Sequence, residues 1–266
     1  MESIDQGYGI DEIRRRKMRV VRVLSDCDCR YGLADAQTVT LISDEPFAAW
    51  ETERTLSLHE ASLLTPVVPT KIVCVGLNYR GHAAELGQPI PQEPVIFLKP
   101  PTTINKPEGE IVIPPGIGQV DYEAELAVVI GRHTHNASPA EARQSILGYT
   151  CANDVTAREI QRRDGQWTRA KSFDGFCPLG PWVETDVEPD DLLVEAIING
   201  EVRQAARTSE MIFGVYDLVS FISGVMTLLP GDVVLTGTPA GIGAVRPGDK
   251  VEVRIEGIGS LTNTVV

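Results

Sequence analysis

Residues 121–131 read DYEAELAVVIG, with carboxylates at every second position leading into an apolar run. In an extended strand successive side chains alternate between faces. Asp121, Glu123 and Glu125 therefore project to one side, and Tyr122, Ala124, Leu126, Val128 and Ile130 to the other. Ala127 and Val129 continue the acidic face as apolar positions. That places Glu125 near a buried surface, where an unpaired charge costs several kcal/mol, so a positive group must face these acids.

Outward from this strand the chain alternates short β-prone runs with Pro- and Gly-rich turns. KIVCVGLNY (71–79) is a continuous apolar run that reads as a buried strand delivering a loop, and RGHAAELG (80–87) as a short helix that Gly87 terminates. Further strands are predicted over 20–24, 38–42, 95–98, 111–113, 124–130, 193–198, 232–236 and 250–255, and helices over 140–145, 156–163 and from Ser209. Strands outnumber helices, which favours a β-dominated α+β fold over a doubly wound sheet. The Pro-punctuated stretch LHEASLLTPVVPTK, with Pro66 and Pro69, marks a boundary between a small N-terminal α/β domain over 18–69 and a main domain over 70–266. The alternating strand opens at Met18, and the polar residues 1–17 read as an N-terminal extension.

Composition bounds the function. A content of 42% hydrophobic and 23% charged residues suits a globular protein with a real core. The net charge of −13 argues against nucleic acid as a partner, because its backbone demands clustered Lys and Arg. An anionic substrate would need a local cation to overcome that field. No apolar run approaches the ~18 residues that cross a bilayer, and the N-terminus lacks a signal peptide's apolar segment, so a cytoplasmic location without membrane attachment is expected. Five scattered cysteines read as free thiols.

Several constellations carry chemistry. Glu123 and Glu125 lie roughly 6.6 Å apart along one strand face, a span that two carboxylates close around a cation. Oxygen-only donors favour Mg²⁺, Mn²⁺ or Ca²⁺, and a solvated edge strand is an even alternative. Asp154, in GYTCANDVTAREIQ, is a third donor or a helix cap. Thr156 and Glu159 have capping-box spacing, which offers that helix another cap. His82 and Glu85 are helix neighbours three residues apart, an arrangement in which the carboxylate orients the imidazole as a base, or else a surface pair. Lys171 lies in TRAKSFDGFCPLGPW, which reads as an ordered loop, where it can stabilise an oxyanion or simply be solvated. LTGTPAGIG (235–243) presents Thr238 and backbone N–H groups to an anion, or is a tight turn.

The order of VGLNYRGHAAE, PVIFLKP, VDYEAELAVVIG, ANDVTARE, AKSFDGFCPLGPW and VVLTGTPAGIG resembles the fumarylacetoacetate hydrolase superfamily over residues 70–266. The segment from Met18 to Pro69 is similar to the small N-terminal domain of many bacterial members. The resemblance implies a mixed β-sandwich roll and a homodimer. It also implies Glu123, Glu125 and Asp154 as ligands of Mg²⁺ or Mn²⁺, and His82 with Glu85 as a catalytic dyad on a lid. Lys171 becomes the active-site lysine, and Thr238, Arg158 and Gln161 become substrate contacts. In the family a 2-oxo acid or β-dicarbonyl chelates the metal and passes through a stabilised enolate. The leading expectation is therefore a hydrolase or decarboxylase cleaving C–C bonds in small 2-oxo or 1,3-dicarbonyl acids. An isomerase of hydroxymuconate-type compounds is the alternative, and a non-catalytic metal-stabilised binding protein a further one.

Overall fold

The computed structural model describes residues 8–266, so residues 1–7 of the expected N-terminal extension lie outside the described residues. A mixed twelve-stranded sheet dominates. From one edge it runs Thr52–Ser57, Thr38–Ile42, Asp28–Ala34, Arg19–Ser25, Cys177–Glu184, Ile146–Asn153, Ala124–Ile130, Val233–Leu235, Ile72–Gly76 and Val95–Lys99, and two short strands lie off this path, Ser62–Leu63 on Arg19–Ser25 and Ile104–Asn105 on Cys177–Glu184. The N-terminal hairpins thus extend the main sheet, joined to it where Val20 pairs antiparallel with Val183. A five-stranded sheet of Glu201–Arg207, Leu193–Ile198, Lys250–Ile255, Gly259–Val265 and Glu110–Ile111 packs against it. A three-stranded one of Thr156–Ala157, Val120–Tyr122 and Gly243–Val245 completes the β structure, so the architecture is β-dominated α+β as expected.

Period two governs the opening strand. Tyr122, Ala124, Leu126, Val128 and Ile130 join Val194, Ala196, Val253 and the helix Val215–Val225 in one core. Ala127 and Val129, on the opposite face, pack with Leu147, Val233 and Leu235 in a second core. The solvated-edge alternative is overturned, because Ala124–Ile130 has a hydrogen-bonded neighbour on each side and no exposed residue.

Local signals fail where tertiary contacts compete with them. The helix Tyr8–Arg16, within the stretch read as an extension, buries Ile10 and Ile13 in the second core. The capping box does not form. Thr156 instead pairs in a strand with Asp121 and donates its hydroxyl to Asp154 O at 2.9 Å, and the helix begins at Arg158 with no side-chain cap. The helix expected from Ser209 starts at Val215. Before it, Asn78 takes the amides of Ile212 and Phe213, which a helix would have used. Lys171 ends a short helix, Thr168–Lys171, rather than sitting in a loop.

Candidate active site

The strand register breaks at Glu123, between Val120–Tyr122 and Ala124–Ile130. There Glu123 N donates to Asn153 Oδ1 and Asp154 N donates to Glu123 O, both at 2.9 Å. These bonds pin Asp154, just past the neighbouring strand, opposite the two glutamates. One carboxyl oxygen from each of Glu123, Glu125 and Asp154 lies within 4.8 Å of the others, and all three residues are buried.

Three buried cations surround this cluster. Lys171 Nζ donates to Glu123 Oε2 and Asp154 Oδ2, each at 2.6 Å, and sits 5.3 Å from the centre of the Phe97 ring. Arg158 donates from Nε to Asp121 Oδ2 at 2.7 Å, from Nη1 to Gln161 Oε1 at 2.5 Å, and from Nη2 to Glu123. Lys99 donates to Asp154 Oδ1 at 2.5 Å and to Phe176 O at 2.7 Å. Burial alone would push the Glu123 carboxyl up, but Lys171 and Arg158 draw it down to about 2. Burial likewise works against charge on Lys171, yet Asp154 and Glu123 hold its ammonium well above the usual lysine range.

Four buried carboxyls, those of Asp121, Glu123, Glu125 and Asp154, thus face the three cations. Among the described residues no basic side chain pairs with Glu125, whose Oε2 accepts only from Gly237 N at 2.6 Å. Burial and the adjacent Asp154 and Glu123 carboxylates push its carboxyl well up. An oxygen-only donor set with one anion in excess, crowded into a few ångströms, fits a hard divalent cation such as Mg²⁺ or Mn²⁺.

After the strand Ile72–Gly76 the chain passes through Leu77, at φ 54°, and turns at Asn78 into the helix Arg80–Glu85. Asn78 is buried and fixes this turn by donating to Thr236 O at 2.8 Å and Phe213 O at 3.1 Å. His82 Nδ1 lies 2.9 Å from Glu85 Oε2, and Glu85 Oε1 accepts from Gly241 N at 3.0 Å. The acid therefore ties the helix to the Gly237–Gly241 loop while it orients the imidazole.

His82, Lys171, Arg158 and the four carboxyls line one cleft of about 540 Å³. It takes in every expected site residue except Glu85, which supports His82 from behind. Phe97 and Trp167 form an edge-to-face aromatic wall with ring centres 5.2 Å apart, and Gly76 leaves the room that Trp167 occupies. Thr238 lines the cleft, but its hydroxyl donates to Ala124 O at 2.9 Å and accepts from Gln204 Nε2 at 2.8 Å, while the nearby Gly237 amide serves Glu125. Sequence reasoning missed Lys99, Asn78, Trp167 and Gln204. Lys99 stood inside PVIFLKP and Asn78 inside VGLNYRGHAAE, so both carried a signal, and the other two did not.

A sequence model of the fumarylacetoacetate (FAA) hydrolase C-terminal family matches residues 71–266, and one described as Rv2993c-like, N-terminal matches residues 18–66. Protein Rv2993c of Mycobacterium tuberculosis is 47% identical over 94% of this chain and 98% of its own length. Oxaloacetate tautomerase FAHD2A, mitochondrial, of Homo sapiens is 44% identical over 79% of this chain and 71% of its own. The crystal structure of 2-hydroxyhepta-2,4-diene-1,7-dioate isomerase from Mycobacterium marinum superposes with a TM-score of 0.88 at 47% identity, covering 94% of this chain and 98% of that one.

Proposed function

The chain belongs to the fumarylacetoacetate hydrolase family, and on that premise we propose that it is a divalent-metal-dependent enzyme that relocates a proton beside the carbonyl of a small 2-oxo acid. The observation that carries this reading is that the Glu85-held His82 imidazole and the buried Lys171 ammonium line one cleft. With Nδ1 engaged by Glu85, Nε2 of His82 is the free base for the carbon-bound proton. Lys171, kept charged by Glu123 and Asp154, faces the negative charge that develops on oxygen as the enolate forms. Mg²⁺ or Mn²⁺ held by Glu123, Glu125 and Asp154 would supply Lewis-acid polarisation of the 2-oxo group. Return of the proton from His82 to oxygen gives the enol, and to a different carbon a double-bond isomer, so no water is consumed.

Two relatives named for such reactions, a tautomerase and an isomerase, support proton relocation ahead of the C–C cleavage that the sequence reading placed first. Cleavage is the second reading, and the cleft of about 540 Å³ favours it by leaving space for a water beside a small acid. His82 would then take its proton from that water, or a carboxylate would leave as carbon dioxide and produce the same enolate.

The test follows oxaloacetate enol absorbance and pyruvate release in parallel, with Mg²⁺ and with EDTA, and repeats the pair on an acylpyruvate, fumarylacetoacetate and a hydroxymuconate. The expected result is EDTA-sensitive enol–keto interconversion without pyruvate. Pyruvate formed at the rate of enol loss would hand the site to the cleavage reading, and no acceleration on any substrate would sink both.

A further inference from the structure

The core face of the opening strand carries Val120, Tyr122, Ala124, Leu126, Val128 and Ile130, and Tyr122 alone among them ends in a polar atom. It is 5% exposed, so phenylalanine would pack there as well unless the hydroxyl has a task. Tyr122 stands opposite Gly243 in an antiparallel pair, where a Cβ on the glycine would come within 3.0 Å of the hydroxyl oxygen. The bare strand lets the phenol pass, and its O–H donates to Gly241 O at 2.9 Å. Tyr122 itself does not line the cleft.

Gly241 receives that bond where it bears on the acid–base pair. Its N–H donates to Glu85 Oε1 at 3.0 Å, and Glu85 Oε2 lies 2.9 Å from His82 Nδ1. Among the described residues these two are the only hydrogen bonds of the Gly241 backbone, and the flanking Ala240 and Ile242 make none. Gly241 has φ 100°, and a Cβ there would collide with Arg203 O on the strand Glu201–Arg207. With no side chain to anchor it, Gly241 is oriented by what grips its carbonyl and its amide. Glu85 is exposed, so a carboxylate released by Gly241 would turn to water rather than to His82.

We propose that Tyr122 is a positioning residue for the His82–Glu85 pair: its hydroxyl fixes Gly241, Gly241 aims the Glu85 carboxylate, and Glu85 aims the imidazole. This role rests on the proton-relocation reading for what the imidazole does, and adds that the support of the base begins on the strand of the carboxylate cluster, since Tyr122 directly precedes Glu123. One chain segment thus presents acids to the cleft from one face and steadies the base from the other.

The experiment follows the four histidines, His59, His82, His133 and His135, by imidazole ¹⁵N NMR in the wild type, Y122F, E85A and the double variant, with H82A to identify the His82 signals. Y122F should shift the His82 signals and leave the other three histidines in place, which also shows that it is folded. Added to E85A, it should shift nothing further. With Mg²⁺, kcat/KM for oxaloacetate enol–keto interconversion should fall by about 3- to 10-fold in Y122F, the worth of one neutral hydrogen bond. It should change by less than about twofold when Y122F is added to E85A, because the two residues act through one chain of contacts. A hydroxyl that only stabilised the fold would act equally in both backgrounds. Unmoved His82 signals in Y122F, an unchanged kcat/KM in Y122F of an active enzyme, or equal effects in both backgrounds overturns the role of Tyr122. Shifted His82 signals in Y122F of a protein whose wild type accelerates no substrate would overturn the proton-relocation reading and leave the link from Tyr122 to His82 standing.

Discussion

Lys99 Nζ lies 2.5 Å from Asp154 Oδ1, and neither side chain is exposed beyond 1%. Water screens neither charge, so Lys99 both neutralises Asp154 and sets the direction in which its other oxygen points. K99M keeps much of the side chain's bulk and removes the cation. Breaking a buried pair from one side costs about 3–5 kcal/mol. Urea denaturation in EDTA should show a loss at the low end of that range, because Lys171 still serves Asp154. A divalent ion replaces the missing charge, so the loss should shrink in saturating Mg²⁺. An equal loss in both conditions would mean that Lys99 has no part in balancing the metal cluster.

Glu123 predicts an acid limb. Its folded-state pKa, about 2, lies below the ordinary 4.5. Its ionised form therefore contributes stability that is complete above the unfolded value and is lost as pH falls through 4.5 towards 2. In EDTA, urea midpoints of the wild type should exceed those of E123Q by a margin that is constant at neutral pH and closes on acidification across that window. A margin that does not change down to about pH 3 would show that Lys171 and Arg158 do not hold the carboxylate ionised.

The His82–Glu85 pair separates chemistry from closure. H82A should lower the rate of enol–keto interconversion by about 10²–10⁴, the usual contribution of a positioned general base, with Mg²⁺ affinity unchanged by calorimetry. E85Q keeps an oxygen for Gly241 N and loses the charge behind the imidazole, so it should lower kcat. E85A also loses the tie to Gly241, so it should raise KM in addition. Matching kinetics for E85Q and E85A would remove the Gly241 contact from the account.

The strand around Glu123 was legible because its period is local: each residue's face follows from its neighbours alone, and Ala124–Ile130 has the bounds its pattern predicts. The meeting of Asp154 with the two glutamates was visible only through the ordered motifs of the family. What stayed hidden depends on distant partners. Lys99 is buried because Val95–Lys99 pairs with Ile72–Gly76 in a register that sets Lys99 against Ile72, and nothing near Lys99 dictates that. Thr156 and Glu159 satisfied a spacing rule, but Asp121 recruited Thr156 into a strand first. The Tyr8–Arg16 helix shows only Ile10 and Ile13 as apolar anchors amid charge, too short a signal to set against its polar composition.

Gln204 is the clearest case of a residue that sequence reading passes over, since its strand neighbours Glu201, Val202 and Arg203 are all exposed. It is itself buried. Its Oε1 accepts from Ala124 N at 2.9 Å, and its Nε2 donates to Thr238 Oγ1 at 2.8 Å and Pro239 O at 2.7 Å. One amide thus links the backbone between Glu123 and Glu125 to the loop that carries Gly237, the donor to Glu125. Q204L would orphan the Ala124 N–H and the Pro239 carbonyl at a cost of about 1–3 kcal/mol for each buried group. Because Ala124 separates two carboxylates of the cluster, any shift that finds its amide a new partner also moves those carboxylates. Q204L should therefore lose both folding stability, by urea titration, and Mg²⁺ affinity, by calorimetry. Q204E keeps an acceptor for Ala124 N but sets a buried, unpaired carboxylate against the Pro239 carbonyl, so it should lose at least as much stability as Q204L. A stability loss with Mg²⁺ affinity intact would confine Gln204 to holding the sheets together and would free the cluster's geometry from it.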